Sequence, residues 1–198
     1  MTENKEVKIF SDAHELAAAF AFELFKMIKD SRQRFDIALS GGSTPKLLFD
    51  ILANQYANKI PWERIHFWWG DERCVPPSDG ESNYGMTAKL LLSKIGIDES
   101  QVHRIKGELA PKDAADDYSN EIKSHLNERQ NLPIFDLIIL GMGDDGHTAS
   151  IFPHEMELLE TDKICAVATH PESKQKRVSL TGRVINNANR VYFMISGK

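Results

Sequence analysis

Short apolar runs separated by helical stretches set the architecture of this chain. Phe35–Ser40 (FDIALS), Ile65–Gly70 (IHFWWG), Phe135–Gly141 (FDLIILG), Ile164–Thr169 (ICAVAT) and Arg190–Ser196 (RVYFMIS) are each of strand length. Several are apolar at consecutive positions, as parallel strands are when both faces are covered. Between them Leu16, Phe20, Leu24 and Met27/Ile28 recur at three-to-four spacing, and Leu47, Leu48, Ile51 and Leu52 form a second stripe. A third helix is predicted over Tyr84–Lys94 and a fourth, heavily charged and on the surface, over Lys112–Glu128. This alternation predicts an α/β fold, a mainly parallel, Rossmann-like sheet flanked by helices.

The chain of 198 residues is expected to form a single domain over 1–198, long enough to bury roughly 70% of its unfolded surface. It shows no internal repeat, low-complexity tract or linker. The longest irregular segment is CVPPSDGESNYG, Cys74–Gly85, and long loops in compact domains are often functional. A net charge of −5 argues against a general nucleic-acid or anionic-membrane binder. Local cations and backbone N–H groups can still hold a phosphorylated metabolite. Cys74 and Cys165 are far apart and form no C-x-x-C pair, so free thiols in a reducing compartment are expected. The polar start MTENKEVKIF has no signal-peptide core, and no apolar run approaches the ~20 residues that span a bilayer. A cytoplasmic protein is expected. The sequence sets no oligomeric state.

Two of the strands end in glycine-rich turns, and open α/β sheets bind ligands at the carboxyl ends of their strands. In SGGSTPKLLFDIL, Gly41 and Gly42 permit tight geometry and close approach by a ligand. Ser43 or Thr44 is a candidate cap for the next helix, with Pro45 in its first turn. A helix N-terminus with unpaired N–H donors suits a phosphate, and the hydroxyls of Ser43 and Thr44 would add donors. An ordinary capped turn fits the same residues. The spacing is not that of a P-loop.

The second turn lies in LIILGMGDDGHTASIFP, where Gly141, Gly143 and Gly146 spell G-x-G-x-x-G. A dinucleotide site needs a long helix after the last glycine and an acidic residue at the end of the next strand. Pro153 interrupts any such helix early, Asp162 precedes the next strand, and Asp144 and Asp145 put negative charge where a pyrophosphate would sit. No dinucleotide cofactor is expected. What remains is Asp145-Gly146-His147 at a strand tip, either a structural turn or a general base with a carboxylate beside it. No metal is expected, because the seven histidines show no H-E-x-x-H or comparable ligand spacing. His154, beyond Pro153, is expected in an exposed loop. Met142, Trp68 and Trp69 are expected in the core or pocket wall.

The segments SGGSTP (Ser40–Pro45), WGDERCVP (Trp69–Pro76), SNYGM (Ser82–Met86) and LGMGDDGHTASIFP (Leu140–Pro153) resemble the 6-phosphogluconolactonase branch of the glucosamine-6-phosphate isomerase/6-phosphogluconolactonase family. RVSLT (Arg177–Thr181) followed by VYFMISG is a weaker match. The resemblance implies a sugar-phosphate isomerase/deaminase-like fold and hydrolysis of 6-phospho-D-glucono-1,5-lactone to 6-phosphogluconate, without an organic cofactor. The related deaminases share the glycine turn and the DGH, but their motif resembles HIAFNEP, with a glutamate where this chain has Phe152. A glucosamine-6-phosphate deaminase-like enzyme and a non-enzymatic sugar-phosphate sensor are the alternatives. The family pattern continues past a TG-x-x-K segment whose lysine is implied to contact the phosphate. Here the sequence reads ISGK, and Lys198 is out of that register. The C-terminal part usual in the family is therefore expected to be lacking.

On this reading His147 takes a proton from the water that attacks C1, and Asp145 is its candidate partner. Arg73 or glycine-turn N–H groups would stabilise the oxyanion. Gly41, Gly42, Ser43 and Thr44, with Arg177, would hold the 6-phosphate. Pairing with Asp71 and Glu72 is the competing fate of Arg73, and Asn83 is a candidate for the pocket wall.

Overall fold

The computed structural model describes residues 5–31 and 33–197. Helix α1 (Ala13–Asp30) starts at Asp12, whose carboxylate accepts the Glu15 N–H, and buries Ala17, Phe20, Ala21, Leu24 and Ile28 along one face. Strand β1 (Phe35–Leu39) is buried throughout, and Gly42, at φ 109°, then turns the chain into helix α2 (Ser43–Gln55). No side chain caps α2. The expected capping by Ser43 or Thr44 is thus corrected: a glycine makes the turn, and the helix begins at Ser43 itself.

Strand β2 (Ile65–Trp69) runs parallel to β1. Past Gly70 the chain forms β3 (Asp71–Arg73), then, after the irregular segment, helix α3 (Asn83–Leu90) and a 3-10 turn at Leu92–Lys94. Helix α4 (Pro111–His125) begins with proline at its first position and buries Ala114, Ala115, Tyr118 and Ile122 beneath its charged outer face. A two-residue hairpin, β4 (Glu128–Arg129) and β5 (Leu132–Pro133), leads to β6 (Leu137–Leu140). Strands β7 (Cys165–Thr169) and β8 (Lys176–Leu180), helix α5 (Gly182–Asn187) and β9 (Val191–Phe193) complete the described chain.

The central sheet is parallel, with order β2-β1-β6-β9. Trp68 and Trp69, both 0% exposed, point to opposite faces of β2 because successive strand side chains alternate. Trp68 packs against Tyr118 of α4, and Trp69 against Tyr84 of α3, so α4 and α3 cover opposite faces. A second sheet, β3-β8-β7, is antiparallel. ICAVAT is therefore a strand outside the central parallel sheet, and Asp71–Arg73 and Lys176–Leu180 are strands that apolar runs do not reveal. Gly70 joins the two sheets: its N–H donates to Leu39 O at 2.8 Å, and its carbonyl accepts from Leu180 N at 2.8 Å. Among the described residues, no helix is long and apolar enough to cross a membrane.

Candidate active site

A cleft of about 200 Å³ opens at the carboxyl ends of β1, β2 and β6. Its walls are Ser40, Gly41 and Gly42 after β1, Asp71 and Arg73 on β3, and Gly141, Met142 and Gly143 after β6. Asn83, His147, Ala149 and Arg177 complete it. The two glycine turns singled out in the sequence thus face one space.

After β6 the chain makes a tight loop in place of a helix. Gly143 N–H donates to His147 O, Gly146 N–H to Gly143 O, and the Thr148 hydroxyl to Gly141 O, each at 2.9 Å. Gly146, at φ 84°, and Ala149, at φ 48°, take left-handed backbone, which costs a residue with a side chain and occurs where the surroundings impose it. Only a short 3-10 turn follows, at Met156–Leu159, so the glycine pattern lacks the helix a dinucleotide needs.

His147 is partly buried, and its Nδ1 lies 2.5 Å from Asp145 Oδ1. The hydrogen bond from His147, by ring and by backbone N–H, holds the Asp145 carboxyl below the usual carboxylate range. An ionised Asp145 accepts Nδ1–H and leaves Nε2 as the basic nitrogen. The ring packs on Phe152, with centroids 4.6 Å apart, and Phe152 is 0% exposed. The loop is fastened to the second sheet through Ser150, whose hydroxyl donates to Asp71 Oδ2 at 2.7 Å and whose N–H donates to Ser179 Oγ at 3.1 Å.

The other wall is cationic. Arg73 and Arg177 are directly opposite in the β3–β8 ladder. Burial, followed by the Arg73 charge, pushes the Arg177 guanidinium below its ordinary pKa. The Nε atoms of both arginines are buried without a hydrogen-bond partner among the described residues. Buried donors are nearly always paired, so two orphans in facing guanidinium groups can serve a bound anion or water. Arg73 makes no ion pair with Asp71 or Glu72 among the described residues. Its Nη1 donates to Glu81 O, while Asp71 is held by Ser150 and Asn83. Glu72 accepts the N–H groups of Arg73, Asn83 and Tyr84 and the Ser82 hydroxyl. Burial outweighs these bonds and raises the Glu72 carboxyl above its ordinary pKa.

Of the four residues expected around the phosphate in the first turn, Gly41 and Gly42 line the cleft. Ser43 is exposed outside its lining, and Thr44 is buried with its hydroxyl 2.6 Å from Ser196 Oγ. Asn83 lies so close over Gly41 that a Cβ there would meet its Oδ1 at 1.9 Å. Met142 is 55% exposed at the rim, whereas both tryptophans are core. His154 is exposed. Cys74 and Cys165 are free thiols, one half-buried and one buried. Lys198 lies outside the described residues. Away from the cleft, His103, Glu121 and His125 form a cluster that no sequence spacing reveals.

The chain is similar in sequence and fold to known proteins. The family model described as glucosamine-6-phosphate isomerases/6-phosphogluconolactonase matches residues 11–198. A 6-phosphogluconolactonase of Treponema pallidum is 47% identical over 190 residues, covering 96% of this chain and 78% of that protein. The human 6-phosphogluconolactonase is 38% identical, covering 97% of this chain and 77% of its own. The solved structure of the Trypanosoma brucei 6-phosphogluconolactonase superposes with a TM-score of 0.89 at 28% identity, covering 98% of this chain and 82% of that one. For the Thermotoga maritima 6-phosphogluconolactonase the TM-score is 0.80 at 32% identity, with 95% and 81% covered. With the match spanning both glycine turns, the histidine loop and the arginine ladder, this chain belongs to the glucosamine-6-phosphate isomerase/6-phosphogluconolactonase family.

Proposed function

We propose that this chain hydrolyses 6-phospho-D-glucono-1,5-lactone to 6-phosphogluconate, with His147 as the general base. One observation carries the reading: a carboxylate-held imidazole and a pair of arginines with unpaired Nε–H groups open onto the same cleft. The lactone carbonyl is already electrophilic, so catalysis reduces to holding the ring, activating water and stabilising charge. His147 Nε2 takes a proton as water oxygen bonds to C1, a contribution of roughly 10²–10⁴-fold. The carbonyl becomes an oxyanion, for which backbone N–H groups at the cleft that are not already bonded within the loop are the donors. Collapse breaks the bond from C1 to the ring oxygen, which takes the proton back from the imidazolium.

Arg73 and Arg177 face each other across adjacent strands, where cross-strand side chains lie about 5 Å apart. We therefore assign both to one anion, the 6-phosphate, with Gly41 and Gly42 completing its cradle, and move Arg73 away from the oxyanion. Anchoring at the phosphate turns remote binding energy into orientation at C1. Phe152 offers no proton relay beside His147, which favours simple hydrolysis over deamination with isomerisation. The free thiols fit a reducing compartment, and the cytoplasm is the location proposed.

The test is lactone hydrolysis followed by acid release, corrected for spontaneous opening. Wild type is expected to exceed background by orders of magnitude and His147→Ala to lose most of that excess. Equal, near-background rates would remove the catalytic reading. Tight phosphosugar binding without turnover would favour a sensor instead.

A further inference from the structure

Near the amino end of β2, on the α4 side of the sheet, three ligand-type side chains converge. His103 arrives from the loop before α4, and Glu121 and His125 are one turn apart on α4. One donor atom of each lies within 4.8 Å of the others. His103 Nδ1 is 2.7 Å from Glu121 Oε1, and His125 Nδ1 is 3.5 Å from the same oxygen. Ligands bonded to a tetrahedral cation at about 2.0–2.2 Å stand roughly 3.4 Å apart, so seating one requires His125 to rotate away from the Glu121 carbonyl, 2.9 Å from its Nδ1, and Glu121 to draw back from His103.

His103 is pre-oriented for such a role. It is 5% exposed, its ring stacks on Trp68 at 3.9 Å, and its backbone N–H donates to Phe67 O. Its Nε2 lies 2.9 Å from His66 Nδ1. Without a cation, Nδ1–H donates to Glu121; a cation that replaces this proton leaves Nε2–H donating to His66 Nδ1, as in metal-bound histidines whose second nitrogen is held by a neighbour. Glu121 is half-buried and His125 exposed, which leaves an open mouth and a coordination position for water.

We propose that His103, Glu121 and His125 bind a late first-row divalent cation, with zinc the best match to two imidazoles and a carboxylate. The site is separate from the cleft, whose lining includes none of the three. His66, its outer partner, precedes the cleft residue Asp71 by five positions, roughly 16 Å at about 3.3 Å per residue. A cation here clamps α4 to the β2 edge, so its effect is on stability, independent of the hydrolytic reading.

The experiment is a Zn²⁺ titration of the chelator-treated full chain, followed by calorimetry and thermal unfolding. At hundredfold excess over Kd the Tm is expected to rise by about 5–10 °C, and Co²⁺ is expected to give the intense visible bands of a four-coordinate site. Glu121→Gln and His125→Ala, both outside the core, are expected to lose at least about tenfold in affinity. His147→Ala, which removes the histidine–carboxylate pair of the cleft, is expected to bind as wild type does. Three results would overturn the site: no Tm shift in wild type, a shift retained by the Glu121→Gln/His125→Ala double variant, or a shift lost with His147→Ala.

Discussion

The imidazole of His147 occupies the space a side chain would need at Gly143: a Cβ built there would stand 2.3 Å from the ring's Cε1 and Nδ1. Bare backbone under the ring lets the loop close, with Gly143 N–H bonded to His147 O at 2.9 Å. Gly143→Ala is therefore expected to leave the fold intact and swing the ring away. An ångström of misplacement costs about 10²-fold in rate. Circular dichroism should be unchanged and kcat reduced by that order, with KM moved much less. A wild-type kcat would show that the ring position seen here is not the working one.

Asp145 supports the base. The hydrogen bond from His147 keeps its carboxyl below the usual carboxylate range, so it is ionised through the neutral range and holds the ring with Nε2 free. Asp145→Asn keeps the shape and loses the anion. The plateau kcat/KM is expected to drop, by less than the roughly 10²–10⁴-fold owed to the imidazole. An unchanged plateau would mean that Asp145 shapes only the turn.

Arg177 should separate binding from stability. Its guanidinium sits opposite Arg73, with a buried Nε–H that finds no acceptor among the described residues. Arg177→Met removes a like-charge contact and an unmet donor. It also gives up the contact with the Phe152 ring, 5.6 Å from the guanidinium carbon. The ligand-free Tm is expected to hold or rise. KM for the phosphorylated lactone should increase at least about tenfold, with kinetics on unphosphorylated gluconolactone unchanged. Loss on both substrates alike would argue against a phosphate role.

The central sheet was legible because its strands are continuous apolar runs: FDIALS, IHFWWG and FDLIILG appear as β1, β2 and β6 in parallel pairing. The second sheet was not. Strand β3 reads Asp-Glu-Arg, and β8 alternates Arg177 and Ser179 with the buried Val178 and Leu180. Short mixed strands resemble loops until a partner is known. The same blindness split the arginines in sequence reasoning, since only the β3–β8 register sets Arg73 against Arg177. Asp145, two positions before His147, is only a candidate partner in the sequence, and the side chains lie 2.5 Å apart. Ser43 and Thr44 were expected by residue type to cap and cradle, yet Gly42 makes the turn and Thr44 faces Ser196.

The edge of the second sheet offers a check on packing that needs no substrate. Cys165 begins β7, against which α4 packs, and it is 4% exposed. Burial pushes its thiol up to about 12. Reactivity requires the thiolate, so at pH 8 native Cys165 is expected to be inert to a thiol reagent. Cys74, half-buried, is also raised, by burial and then by the Glu72 charge, and should react slowly. In a Cys74→Ala variant, labelling should then follow the global unfolding rate and accelerate with denaturant along the unfolding limb. Rapid labelling in native buffer would mean that α4 lifts from β7 locally, without unfolding the parallel sheet that positions the cleft.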